Sequence, residues 1–130
     1  MQEQVASRTA LIAGLMRSRH TRKDPHRVLD DPWGERLVPE PAIHAMHEAA
    51  RAAKAAGTLK SDASTARELL DDWLPTSAAY PNVILRSRFT EDALSAAIAR
   101  GVRQYVLIGA GFDLDRFEHE RLANRPEAAS

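Results

Sequence analysis

Along most of this chain apolar residues return every third or fourth position, and one late stretch replaces that rhythm with a continuous apolar run. Residues 7–20 open the helical part. Leu11 and Leu15, and Ile12 and Met16, recur at i, i+4 and lay a single apolar stripe along a helix. Ser7 stands where an N-cap belongs. Arg17, Arg19, Arg22 and Lys23 crowd the other end, where the helix dipole favours cations. Two Pro residues and a Gly follow within ten positions, in Asp24-Pro25 and Asp30-Asp31-Pro32-Trp33-Gly34, which predicts an ordered loop. Trp33 and Leu37 are the expected pins of that loop onto the core.

A second helix is predicted over 41–56, with Pro41 in its first turn and Gly57 at its stop. Ile43, Met46, Ala50 and Ala53 line one side of it. A third is predicted over 62–74, closed by Pro75. Residues 80–89 read as an extended segment, in which Arg86 and Arg88 face opposite ways. Thr90 is the expected N-cap of a fourth helix over 90–100, with Glu91 and Asp92 in its first turn, Leu94, Ala97 and Ile98 as its buried stripe and Gly101 as its stop. The apolar run is 105–108, Tyr-Val-Leu-Ile, and it is the principal strand candidate. It leads straight into Gly109-Ala110-Gly111-Phe112-Asp113, after which the chain turns polar.

The bulk numbers narrow the classes. A length of 130 residues is about one domain. With 44% hydrophobic and 28% charged residues the chain is of globular type, neither disordered nor fibrous. Lys plus Arg and Asp plus Glu are both 18, so the basic excess of a nucleic-acid binder is missing. There is no Cys, which removes disulfides and thiolate metal sites and suits a reducing cytoplasm. No secretory leader or membrane-length apolar run is visible, so the expected address is the cytoplasm, with no membrane partner.

A strand that ends in Gly-x-Gly is the entry to a nucleotide-type site, because glycine lets the backbone turn sharply and come close to a ligand. The third glycine of the dinucleotide fingerprint would fall on Leu114, which speaks against a nicotinamide cofactor. His44 and His47 at i, i+3 lack a third ligand, so no metal is expected. Asp30-Asp31 and Asp71-Asp72 read as turn and helix-end residues rather than acid–base pairs, and Trp33 and Trp73 as packing anchors.

Taken in order, Ser7-Arg-Thr-Ala, Arg17, His20, Asp30-Asp-Pro-Trp, Arg86-Ser-Arg-Phe-Thr-Glu-Asp-Ala-Leu and Gly101-Val-Arg-Gln-Tyr-Val-Leu-Ile-Gly-Ala-Gly-Phe-Asp resemble the leucine carboxyl methyltransferase family, in its bacterial O-methyltransferase-like branch. The resemblance runs from about residue 7 to residue 116 and is strongest over 86–113. It implies an α/β, Rossmann-like class I methyltransferase fold. Residues 1–89 would be a helical N-terminal cap, and 90–130 the start of the domain that binds S-adenosylmethionine. It further implies that Gly109, Ala110 and Gly111 lie against the methionine part of that cofactor, with Asp113 at the loop or the ligand amine. Arg86 would pair with the ligand carboxylate, and Arg8 would reach the same end. Guanidinium suits that task through planar, charge-assisted contacts. The implied reaction is in-line methyl transfer to a small-molecule or carboxyl acceptor, which depends mostly on positioning.

The family pattern is followed only in part. No second apolar strand comes after Arg116, and Glu118 and Glu120 sit in polar surroundings unlike the acidic residue that would hold the ribose. The expectation is therefore a truncated N-terminal portion. Its rivals are a non-catalytic remnant, a helical interaction module and a nucleotide-binding fragment of another type. An unpaired strand would also offer an edge for oligomerisation.

Overall fold

The computed structural model describes residues 7–106 and 108, and within these every regular element is helical. α1 spans Arg8–Lys23, α2 Glu40–Ala55, α3 Ala66–Trp73 and α4 Ala79–Ala99; one turn of 3-10 helix, Leu74–Thr76, joins α3 to the approach of α4. The Gly109–Asp113 loop lies outside the described residues, as does Leu107 of the strand candidate. Tyr105, Val106 and Ile108 are not in a strand.

The first two helices follow the pattern that foretold them. Leu15 and Met16 are buried and Leu11 and Ile12 pack against the same cluster. α1 runs one turn further than its stripe, to Lys23, because Pro25 is the first residue that forbids continuation. In α2, Met46 and Ala50 are buried, with Ile43 and Ala53 beside them. Gly57 then takes a positive φ, and Thr58 N–H bonds back to the Ala53 carbonyl at 3.0 Å, closing the helix.

α3 begins four residues later than the apolar pattern suggested. The Thr65 hydroxyl accepts from Glu68 N–H at 3.1 Å and the Glu68 carboxylate accepts from Thr65 N–H at 3.1 Å. This capping box fixes the first helical residue at Ala66. The larger correction concerns α4. The segment 80–89 is helical, not extended, and Thr90 is an interior residue whose hydroxyl bonds the Arg86 carbonyl at 2.9 Å. Pro81 falls in the first turn, where its missing N–H costs nothing, and no Pro or Gly follows before Gly101. An uninterrupted helix is therefore open to the chain, and a threonine cap at 90 is never needed. Gly101 ends it as expected, at φ +90, with Val102 N–H on the Ala97 carbonyl.

The core has two parts. Leu15, Met16, Leu29, Val38, Met46, Leu70, Leu74, Tyr80 and Ile84 form the main cluster. Ala50, Leu59 and Leu69 form a smaller one, and half-buried Trp73 touches both. Each of the large side chains contributes about 1.5–3 kcal/mol by leaving water. The loop after α1 is pinned by Leu29 and Val38; Trp33 and Leu37 are only half-buried. Trp33 lies instead under the Arg36 guanidinium, 5.1 Å away. Of the expected stripe on the end of α4, Leu94 and Ala97 are half-buried and Ile98 is 57% exposed.

Candidate functional site

Three arginines of α1, pointing to different sides of the helix, tie it to the segments packed around it. Arg17, buried, gives Nε to Asp31 Oδ2 at 2.7 Å. The other oxygen of Asp31 accepts the N–H groups of Trp33 and Gly34, at 3.0 and 2.9 Å. Ser18 and Thr21 lace the same loop: Thr21 Oγ1 accepts from Asp31 N–H at 2.7 Å, and Ser18 Oγ from Glu35 N–H at 2.8 Å. Small residues let the backbones meet. A Cβ on Gly34 would stand 2.4 Å from the Gly14 carbonyl oxygen.

The second basic residue, Arg19, holds α1 to α3 and α4. Its Nε reaches the Asp71 carbonyl at 3.0 Å and its Nη1 the Tyr80 hydroxyl at 3.1 Å, and it pairs with Asp24. Tyr80 in turn donates to Asp24 at 2.9 Å. His20 Nε2 accepts from Val28 N–H at 3.1 Å, so its Nδ1 is the donor to Asp24, at 2.6 Å. Partial burial pulls the Asp24 carboxyl upward, but the hydrogen bonds of His20 and Tyr80 and the Arg19 charge outweigh it and leave it below the usual range. Burial, with the hydrogen bond to Asp24, pushes the Tyr80 hydroxyl up to about 12 against the pull of Arg19. Tyr80 is thus a neutral donor at any ordinary pH. The third, Arg22, reaches Asp71 at 2.8 Å and Glu35 at 3.7 Å, and Arg67 clamps Glu35 from α3, with Nη2 to Oε2 at 2.7 Å.

Arg17, Arg19 and Arg22, expected from the sequence as dipole partners of a helix end, are instead the hubs of a largely buried ionic array. Asp31 and Asp71 do serve structure, as expected, and no acid–base pair or activated nucleophile emerges from them. The Thr65-x-x-Glu68 spacing is a local signal that would have placed the start of α3; the long-range partners Asp31, Asp71 and Tyr80 carry no such signal.

The residues assigned to the cofactor are placed as follows. Arg8 is exposed at the first position of α1, and Arg86 is exposed midway along α4. Neither side chain has a polar partner among the described residues, and no contact joins the two. Gly109, Ala110, Gly111 and Asp113 lie outside the described residues. The network fixes Tyr80 against the end of α1, and Arg86 follows Tyr80 on the same helix. A cleft of about 590 Å³ is lined by Arg19, Lys60, Ser61, Asp62, Asp72 and Pro75. Among the described residues no three His, Asp or Glu side chains gather as a metal site, and no helix is long and apolar enough to cross a membrane.

The profile of the leucine carboxyl methyltransferase family matches residues 10–126. The chain belongs to the leucine carboxyl methyltransferase family. Among relatives within reach of that family, YktD of Bacillus subtilis is 28% identical over 130 residues, covering 95% of this chain and 41% of its own length. A Saccharopolyspora erythraea protein is 30% identical over 112 residues, covering 86% and 32%. FRAAL3718 of Frankia alni is 47% identical over 36 residues, covering 28% of this chain and 13% of its own. All three are assigned by name to the S-adenosyl-L-methionine-dependent methyltransferases. The chain thus spans less than half the length of the curated relatives it matches. No solved structure matches it.

Proposed function

We propose that this chain carries the N-terminal part of an S-adenosylmethionine-dependent O-methyltransferase of class I fold, acting on a small-molecule or carboxyl acceptor. The observation that supports the reading is the family match across residues 10–126, which takes in the Arg86 motif and the Gly109-Ala110-Gly111 turn together. In this reading the Gly109–Gly111 backbone receives the methionine end of the cofactor, and Asp113 faces its ammonium group. Arg86 gives two parallel N–H donors to the carboxylate, and Arg8 adds charge at that end. Arg86 is suited to this because its guanidinium is exposed and has no polar partner among the described residues, on a helix whose start is held by Tyr80. When bound, S-adenosylmethionine would supply an electrophilic methyl group, its sulfonium leaving as a neutral thioether as an ionised acceptor oxygen takes the methyl. The residues named here bind and orient the cofactor rather than take a proton.

The chain brings groups for the methionine end and none identifiable for the ribose or adenine. Each charge-assisted contact forgone weakens binding by about 1.5–3 kcal/mol. Binding by the 130-residue chain is therefore weak, and no methyl transfer occurs unaided. Titration with S-adenosylmethionine at millimolar concentration, followed by amide chemical shifts, tests this. Shifts that saturate weakly at 109–113 and vanish in Arg86→Ala are expected. Tight stoichiometric binding would overturn the missing-contact argument, and shifts elsewhere would overturn the site. A second reading, a helical interaction module without cofactor, is favoured by the apolar face that α4 leaves exposed.

A further inference from the structure

α2 and α3 share the smaller cluster, Ala50, Leu59 and Leu69, with half-buried Trp73 packed against it. One turn before Ala50 on α2 stands His47, itself half-buried. Its Nε2 is buried and has no hydrogen-bond partner among the described residues. Buried side-chain polar atoms are nearly always paired, so a ring nitrogen cut off from water and given nothing to bond calls for an explanation. The charged groups that bear on it come from α2, α3 and the loop after α1. His44 and Arg51 stand at i−3 and i+4 on α2 itself, Arg67 on α3 and Glu35 in the loop. Glu35 is the carboxylate of this set, and it is engaged elsewhere: Arg67 Nη2 reaches its Oε2 at 2.7 Å and Arg22 stands at 3.7 Å.

A neutral imidazole suits this place, because its carbon edges pack and only one hydrogen bond goes unmade. A protonated one does not. It carries a charge and two N–H donors into a half-buried site that arginines flank on two sides. To take the proton the structure must draw Glu35 off Arg67, or lift α2 so that water reaches Nε2. We propose that His47 is an acid-operated latch: neutral, it lets the 47–55 part of α2 close on α3; protonated, it opens that contact to water while α1 stays packed. Burial, with Arg51, His44 and Arg67, holds its pKa below the ordinary 6.5, the direction required of a latch closed by the neutral ring. The smaller cluster is the contact with least apolar area to lose, so it yields before the main one. The latch stands independently of the methyltransferase reading.

Amide hydrogen exchange of the full chain between pH 7 and 5, corrected for its intrinsic pH dependence, tests it. The His47 ring resonance is followed alongside and assigned by its loss in His47→Gln. Exchange at 47–55 and 66–73 should quicken as the pH falls, while 8–23 keeps its protection. At the acid end the gain should be about tenfold for each unit by which the folded pKa lies under 6.5. His47→Gln, polar but never charged, should abolish the rise with the helical circular dichroism unchanged. Arg67→Gln, at an exposed position of α3, should move the His47 midpoint toward 6.5 and shrink the rise. No rise, a rise shared equally by all the helices, or one that survives in His47→Gln overturns the proposal. A His47 midpoint that ignores Arg67→Gln overturns the part given to the α3 cation.

Discussion

One helix shows two kinds of surface. At the start of α4, Tyr80 is wedged between Arg19, Asp24 and the main cluster, and Ile84 is 4% exposed. A single residue further, Leu85 is 62% exposed, and beyond it Phe89, Ile98, Val102, Val106 and Ile108 are exposed while Leu94 is half-buried. The sequence is similarly apolar on both sides of that point. Burial therefore follows from what the cap can reach, not from the composition of the helix. The start of α4 shares the core and the ionic array of the other helices, whereas much of its later half is left exposed among the described residues.

The contrast makes unequal predictions. Removing the carboxylate in Asp31→Ala takes from the buried Arg17 its 2.7 Å contact and strips two loop N–H groups of their acceptor. It should cost about 3–5 kcal/mol by urea unfolding, the largest effect of the set. Leu74→Ala, at a site 2% exposed, should cost about 2–5 kcal/mol by the same measurement. Phe89→Ala is its opposite number: it should change stability by less than about 0.5 kcal/mol. A loss as large as that of Leu74→Ala would erase the distinction between the two regions. Thr65→Ala, which opens the capping box of α3, should fall between, at about 1 kcal/mol.

Acid separates two groups within the cap. His47 Nε2 is buried without a partner, and burial together with Arg51, His44 and Arg67 holds its pKa below the ordinary 6.5. The folded state then binds this proton less readily than the unfolded state. Stability is full above pH 6.5 and falls as the pH drops from there toward the folded pKa. Asp24 acts lower on the scale. Its folded pKa lies below the usual 3.8, so its contribution is present above that pH and fades as acid titrates the folded carboxylate. Melting temperature against pH should show the upper decline vanish in His47→Leu while the lower one remains. A wild-type profile flat between pH 7 and 5 would remove His47 from the account.

Much of the helix content was legible because it rests on local rules. The i, i+4 stripes of α1 and α2 and the glycines at 57 and 101 needed no tertiary knowledge. Thr90 misled for a related reason: threonine followed by Glu91 and Asp92 has the form of a helix start, but cap propensity is weak beside the gain of continuing a helix already under way. The candidate site was legible only as a family pattern. Spacing cannot say that Arg86 is exposed with no polar partner among the described residues, since that depends on which surfaces the other helices occupy.

By itself, then, the sequence determined four helices, two of their glycine stops, the family and the chemistry expected of Arg86 and the Gly109–Gly111 turn. Tertiary structure alone decided three things. It joined residues 79 to 99 into one helix, it made Arg17, Arg19 and Arg22 internal partners of Asp31, Asp24 and Asp71, and it divided α4 into a covered and a bare half. The reason is range. Helix patterns are written within four residues of themselves, whereas an ion pair 49 residues apart, or the edge of a buried face, exists only once distant segments have been packed together.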